Sequence, residues 1–326
     1  MNMKQKVLIA MPYDDYDPIH SGHGLKVLEE NGLDTAVADH YLSNMEILEV
    51  IDQYDAVIYC GGFLPDAKFF ASAKKLKILS RLGLGYDDID LKAAEQYGVQ
   101  VTITRVMEHV NGVAELAYAL MMSMLYHIPQ RYSEYVVNKE FRQVVENRQL
   151  MGKTVGLFGF GAIAKAFAGQ MQAAGVKLIA CDVYPDTETA KQLKVTIVSQ
   201  EQLLAESDII SIHVPALPEN KHIFNKTVFG QMKNGAFLVN TARGMLVKEA
   251  DLYDALKGGK LAGAATDVMD PEPADPDNLL LTLDNFIATP HIGGHNFEAR
   301  EAMSVSAAQA VVDSLNGKKP HFLLNS

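Results

Sequence analysis

The stretch from Lys153 to Asp182, KTVGLFGFGAIAKAFAGQMQAAGVKLIACD, constrains this chain more than any other. It opens on an apolar run, Val155 to Phe160, whose Val and Phe content suits a buried strand. A glycine turn follows, Gly159-Phe160-Gly161-Ala162-Ile163-Ala164, after which Ile163, Phe167, Met171 and Ala174 recur at helical spacing. A second apolar run, Val176 to Ala180, ends at Cys181-Asp182. The order is strand, glycine turn, helix, strand, acid.

Each part has a physical task if the ligand is a dinucleotide. Gly159 permits the tight turn, and Gly161 lets the backbone approach a pyrophosphate with no side chain in the way. The helix N-terminus, at Ala162 and Ile163, offers unpaired N–H groups and the positive end of its dipole to that anion. Asp182 would accept hydrogen bonds from a ribose diol and repel a 2′-phosphate, so the expected cofactor is NAD rather than NADP. The third glycine position holds Ala164, which the fingerprint allows.

At 326 residues the chain is long enough for two domains. A formal net charge of −11 argues against a nucleic-acid partner, because phosphate neutralisation needs clustered Lys and Arg. No apolar run approaches the roughly 20 residues of a membrane span. The opening MNMKQKVLIAMP lacks the long apolar segment of a signal peptide. Cys60 and Cys181 fall at strand ends and read as small core hydrophobes, not a disulfide. The cytoplasm is the expected location, and no metal is expected.

Before the glycine turn, strands are predicted at 5–11, 33–39, 55–60, 77–82 and 99–103, with helices at 19–30, 45–51 and 90–96. This alternation is the pattern of a parallel sheet covered on both faces, complete within the first hundred residues. A long apolar-faced helix, from Asn111 to about His127, would bridge two domains or meet a second subunit. After Asp182, strands are expected at 195–198, 209–213, 236–240, 261–266 and 286–289, enough for a full doubly wound dinucleotide domain. Helices are expected at 200–205, 228–232, 248–256 and 297–315.

In open α/β sheets, ligands bind outside the carboxyl ends of the strands. Three predicted strands there end in chemically loaded loops: Asn240-Thr241-Ala242-Arg243-Gly244, Asp267-Val268-Met269-Asp270-Pro271-Glu272-Pro273, and Thr289-Pro290-His291-Ile292-Gly293-Gly294. A guanidinium binds a carboxylate bidentately and polarises an adjacent carbonyl. A histidine holds or releases a proton near neutral pH, and a neighbouring carboxylate orients its ring. With NADH nearby, Arg243, Glu272 and His291 would reduce a 2-keto acid, or oxidise a 2-hydroxy acid in reverse.

With these motifs in hand, the chain resembles the D-isomer-specific 2-hydroxyacid dehydrogenases. That family includes D-3-phosphoglycerate dehydrogenase, hydroxypyruvate and glyoxylate reductases, D-lactate dehydrogenase and formate dehydrogenase. The likeness rests on Gly83-Leu84-Gly85-Tyr86-Asp87-Asp88-Ile89-Asp90, Val113-Ala114-Glu115, the glycine turn, Ser207-Asp208, His213-Val214-Pro215, and the Arg243 and His291 loops. It implies an α/β fold of two doubly wound parallel-sheet domains. A Rossmann cofactor domain (104–291) is inserted in a flavodoxin-like substrate domain (1–103 plus 292–326), and a cleft between them closes on substrate. The resemblance implies that Arg243 binds substrate, Glu272 is the carboxylate partner and His291 the acid/base. The backbone at Leu84 and Gly85 would help hold the substrate carboxylate. Cofactor contacts are implied at Gly159, Gly161, Ala162, Ile163, Asp182, His213, Val214, Pro215, Thr241, Ala242, Asp267 and Gly293, and homodimerisation through the cofactor domain.

The chain also departs from the family pattern. Pro215-Ala216-Leu217-Pro218 replaces the frequent Pro-x-Thr turn, and Phe141 is the candidate for the missing tryptophan before the glycine strand. The lack of a regulatory extension after Leu315 disfavours a long phosphoglycerate dehydrogenase, and Glu272 disfavours formate dehydrogenase. Arg81, Arg105 and His109 are candidates to add charge for a second anionic group. The competing reading is a NAD(H)-sensing binding protein on the same fold, with little turnover.

Overall fold

A computed structural model describes residues 4–12, 23–140 and 146–325. Contacts divide the chain into two units, residues 1–109 with 294–326, and residues 110–293. Phe141 and the first four residues of the helix expected at 19–30 lie outside the described residues.

The first unit alternates β1 (Lys6–Ile9), α1 (His23–Glu30), β2 (Asp34–Val37), α2 (Asn44–Val50), β3 (Ala56–Tyr59), α3 (Ala67–Ser72), β4 (Ile78–Arg81), α4 (Leu91–Gln96) and β5 (Gln100–Ile103). All strand pairs are parallel, in the order β2-β1-β3-β4-β5, which is the flavodoxin-like order. Successive side chains of a strand point to opposite faces. So Val7, Ile9, Ala56, Ile58 and Ile78 meet one helical layer, while Leu8, Val57, Tyr59, Leu79 and Val101 meet the other. Side-chain caps start the helices: Ser43 forms a capping box with Glu46, and Asp90 accepts from the Ala93 N–H at 3.0 Å.

The second unit contains α5 (Met107–Leu125, from Val110 onward), α6 (Ile128–Tyr132), β6 (Thr154–Phe158), α7 (Ala162–Gln170), β7 (Lys177–Cys181), α8 (Thr187–Gln192) and β8 (Val195–Ile197). It continues with α9 (Gln200–Glu206), β9 (Ile209–Ile212), α10 (Lys226–Gln231), β10 (Ala236–Asn240), α11 (Glu249–Lys257), β11 (Leu261–Thr266) and β12 (Phe286–Ala288). Its seven strands are parallel, in the order β12-β11-β10-β9-β6-β7-β8, so the order reverses direction at β6. The last helix, α12 (Phe297–Leu315), belongs to the first unit and covers β3, β4 and β5 there.

The strand register positions the candidate site. Phe158 is level with Cys181 on one side and Ile212 on the other; Ile212 is level with Asn240, Asn240 with Thr266, and Thr266 with Ala288. The residues that follow each of these therefore leave the sheet along one edge. The turn after β6 is tight because Gly159 has φ 97°, and a Cβ there would sit 2.8 Å from the His213 carbonyl oxygen.

Three expectations are corrected. Cys60 is exposed just beyond β3, not a core residue; neither cysteine forms a disulfide, and burial pushes the Cys181 thiol up to about 11. The long helix α5 does join the two units, Met107–His109 counting with the first and Val110 onward with the second, but its apolar face is not left for a second subunit: Ala114, Ala117, Leu120, Met121, Met124 and Leu125 pack against β6 and α7 residues such as Val155, Leu157 and Phe167. Burying each larger side chain stabilises the fold by about 1.5–3 kcal/mol, so this face is not spare surface for a partner. Helices α3 and α8 were not expected; each is six residues long and is started by an aspartate cap, Asp66 or Asp186.

His213, just after β9, has an Nε2 sealed from solvent with no hydrogen-bond partner. Burial pushes its pKa down to about 4. The unfolded state then binds a proton near pH 6.5 that the folded state refuses until about pH 4. Stability should fall as pH drops through that window, by at most about 1.4 kcal/mol per pH unit. His213→Gln should flatten this part of a Tm-against-pH curve; an unchanged slope would refute the assignment.

Candidate functional site

The glycine turn has the shape its residues suggested. Gly161 is the N-cap of α7 and supplies no side-chain cap, so the first-turn N–H groups of Ala162 and Ile163 are left for an anion. A Cβ on Gly161 would meet nothing within 4 Å, which leaves open space before that helix end. Asp182 Oδ2 accepts from the Phe160 N–H at 2.7 Å, and Oδ1 from the Tyr184 N–H at 2.8 Å. The acid at the end of β7 thus braces the turn itself, and its remaining lone pairs are available to a ribose diol. These residues fit a dinucleotide.

Farther along the same edge, the β10 loop is clamped by the side chain that precedes it. Asn240 Oδ1 accepts from the Ala242 N–H at 3.0 Å, and Asn240 Nδ2 donates to the Arg243 carbonyl at 2.9 Å. Arg243 Nη1 donates to the Ala242 carbonyl at 2.8 Å. Thr241 is buried, with its hydroxyl unpartnered. A Cβ on Gly244 would sit 2.1 Å from the Met269 carbonyl oxygen, so only glycine lets the β10 and β11 loops approach this closely.

Asp267 is 2% exposed, and its carboxylate organises the β12 loop. It accepts from the Thr289 hydroxyl at 2.6 Å, the Ile292 N–H at 2.9 Å and the Gly293 N–H at 2.8 Å. The Asp267 carbonyl accepts from the His291 N–H at 2.8 Å. Between these anchors His291 has φ 53°, a left-handed conformation that costs a non-glycine residue about 1–3 kcal/mol and persists only where its surroundings over-determine it.

That conformation brings His291 Nδ1 to 2.8 Å from Glu272 Oε2. Glu272 Oε1 accepts from the Met269 N–H at 3.2 Å. Burial pushes the Glu272 carboxyl up, but the hydrogen bond and charge of His291, the Met269 N–H and the charge of Arg243 outweigh it and hold it below the usual carboxylate range. Glu272 is therefore ionised at neutral pH. The His291 side chain is 48% exposed, so the ring held through Nδ1 is open to a ligand at its other nitrogen.

The structure thus brings Arg243, Glu272, Asp267, His291 and Gly293 onto the edge that also carries Gly159, Gly161, Asp182, His213, Val214 and Pro215. Leu84 and Gly85 belong to the first unit, on the loop after β4. No hydrogen bond among the described residues uses their backbone N–H groups. Arg81, a candidate to add charge for a second anion, is held within its own unit: Nε donates to the Gly85 carbonyl at 3.1 Å, and the guanidinium stacks 5.0 Å above the Tyr59 ring. Arg105 is exposed, and the His109 ring lies where a Cβ on Gly294 would be. The roles of Gly244 and Thr289 went unread because each acts on a neighbouring loop, and that of Asn240 because its clamp depends on how its own loop folds back.

A sequence profile for the D-isomer specific 2-hydroxyacid dehydrogenase, NAD binding domain, matches residues 118–293. A D-3-phosphoglycerate dehydrogenase from Archaeoglobus fulgidus is 36% identical over 312 residues, 96% of this chain and 58% of that protein. A hydroxypyruvate reductase from Thermotoga maritima is 34% identical over 282 residues, 86% of this chain and 90% of that one. The chain therefore spans only part of the length of some curated relatives. Among solved structures, the TT0316 protein from Thermus thermophilus superposes with a TM-score of 0.87 at 31% identity, covering 99% of this chain and 100% of that one. The apo D-lactate dehydrogenase from Escherichia coli gives 0.84 at 28% identity, covering 99% and 100%.

The Gly244 contact yields a direct test. Gly244→Ala should push Met269 away, and Glu272 with it, because the opposing atoms are backbone and cannot swing aside. The expected result is a loss of about 2–4 kcal/mol of stability, read by denaturant unfolding. An unchanged midpoint would refute the close approach.

Proposed function

The chain belongs to the D-isomer-specific 2-hydroxyacid dehydrogenase family, and on that footing we propose that it is an NAD-dependent oxidoreductase acting on the CH–OH group of a small D-2-hydroxy acid, or on the matching 2-keto acid in reverse. The observation that carries this reading is the 2.8 Å contact between His291 Nδ1 and an ionised Glu272, on the same sheet edge as the glycine turn.

Bound NADH would supply the hydride to the keto carbon of the substrate. Arg243 binds the substrate carboxylate and polarises the adjacent carbonyl. As the hydride arrives, charge develops on the keto oxygen, and His291 gives it a proton from Nε2. Glu272 fixes the orientation of the ring through Nδ1. In the oxidative direction neutral His291 removes the hydroxyl proton at the same nitrogen. The preference for NAD over NADP rests on Asp182, whose charge would repel a 2′-phosphate.

We also infer a homodimer. Beyond α5, the segment through α6 exposes Ile128, Tyr132, Tyr135, Val136 and Val137, each at least half open to solvent. A contiguous apolar patch of this kind marks an association surface. No described helix is long and apolar enough to cross a membrane. Two cysteines outside any disulfide suit a reducing compartment, the cytoplasm.

NADH oxidation with hydroxypyruvate, glyoxylate, pyruvate, longer 2-keto acids and phosphohydroxypyruvate tests the activity. Turnover on at least one is expected; tight NADH binding with no turnover on any would favour a sensor and overturn the proposal. His291→Ala should lower kcat by about 10²–10⁴-fold, whereas Arg243→Ala should act chiefly on KM for the acid. For the dimer, Tyr132→Asp combined with Val137→Asp should halve the mass measured by light scattering. An unchanged mass would refute that surface.

A further inference from the structure

Glu272 sits on a loop, Asp270 to Asn278, that joins β11 to the 3-10 turn Leu279–Thr282. The hydrogen bonds within this loop lie in its second half, where Asp275 accepts from the Asp277 and Asn278 N–H groups. The two ends of the loop are instead tied to one side chain outside it. Glu249 Oε1 accepts from the Asp270 N–H at 3.0 Å, and Glu249 Oε2 accepts from Asn278 Nδ2. The orientation of that amide is fixed, because Asn278 Oδ1 accepts from the Leu280 N–H at 3.0 Å and so turns Nδ2 toward Glu249. Glu249 itself stands at the first position of α11, a helix anchored in the core through Leu252, Ala255 and Leu256. A carboxylate that accepts hydrogen bonds from both ends of a loop, and is carried on a buried helix, is a rigid clamp for what lies between.

What lies between is the carboxylate that meets His291. The clamped Asp270 N–H is the peptide next to Met269, whose own N–H donates to Glu272 Oε1, while Glu272 Oε2 takes His291 Nδ1. We propose, on the reading that His291 and Glu272 form the acid/base pair, that Glu249 is a positioning residue for that pair: it holds the Asp270–Asn278 loop so that Glu272 faces His291. Glu249 touches neither substrate nor cofactor in this role, and acts only through Glu272.

The test is a double-mutant cycle with Glu249→Ala, Glu249→Gln and Glu272→Gln, read in kcat, in NADH binding by fluorescence, and in amide hydrogen exchange at Met269. Glu249→Ala should lower kcat about 10–30-fold while leaving NADH affinity within about twofold. In the Glu272→Gln background the same change should cost no more than about twofold, because the residue it acts through is already gone. Glu249→Gln keeps an acceptor for the Asp270 N–H and should recover at least about a third of the rate. Exchange at Met269 should accelerate about tenfold in Glu249→Ala, and about as much in Glu272→Ala. Additive effects of Glu249→Ala and Glu272→Gln, or Met269 exchange that does not respond to Glu249, would overturn the proposal. If the wild-type protein turns over no 2-keto acid, the proposed activity fails, and Met269 exchange still decides whether Glu249 holds the loop.

Discussion

Parallel pairing in the second unit sets nearly everything that follows. Because Phe158, Cys181, Ile212, Asn240, Thr266 and Ala288 lie level with one another, the loops after their strands emerge along a single line. A slip of one residue in any strand would turn its side chains to the opposite face, exchanging buried apolar residues between the two helical layers. The helices hold that register: Ile209 and Val239 must face α5 and α7, while Ile210 and Leu238 must face the opposite layer. Core packing thereby determines, to within a residue, which side chains reach the edge.

Register alone does not aim a side chain, and the final orientation comes from buried polar groups. Asp267 gathers three donors from the β12 loop and holds His291 in a conformation that a non-glycine residue seldom adopts. Asn240 does the same for the Arg243 backbone, with one amide serving as both acceptor and donor. Three hydrogen bonds converging on Asp267 over-determine the loop and so offset the strain at one residue. The site is thus stiff before any ligand arrives, which is what proton transfer over hydrogen-bond distances requires.

Much of this was legible in the chain itself. Apolar runs such as Val155–Phe158 and Ala236–Val239 declare buried strands, and the polar residues just beyond them mark the edge where ligands bind. Arg243, Glu272 and His291 were singled out there because the three stand together on successive loops after a dinucleotide turn. What stayed hidden were contacts between segments distant in sequence. The partners of Arg81, the Tyr59 ring and the Gly85 carbonyl, could not be named before the fold was known. The apolar α5 reads as an interface until its partners in β6 and α7 are known. Glu249 reads as an ordinary first-turn acid, because nothing local reports that Asp270 and Asn278 fold back onto it. Short helices such as α3 carry too few turns for periodicity to show, and only their aspartate caps announce them.

The bond from Phe160 to Asp182 has a consequence for anyone wishing to redesign cofactor choice. The residue proposed to discriminate between the two nicotinamide dinucleotides is also a strut of the loop proposed to cradle their shared phosphates. Replacing it with a small or basic residue to admit a 2′-phosphate would leave the Phe160 N–H without its acceptor and loosen the cradle for either dinucleotide. A successful swap in this scaffold therefore needs two coordinated changes: one to welcome the new phosphate, and another to return an acceptor to the turn.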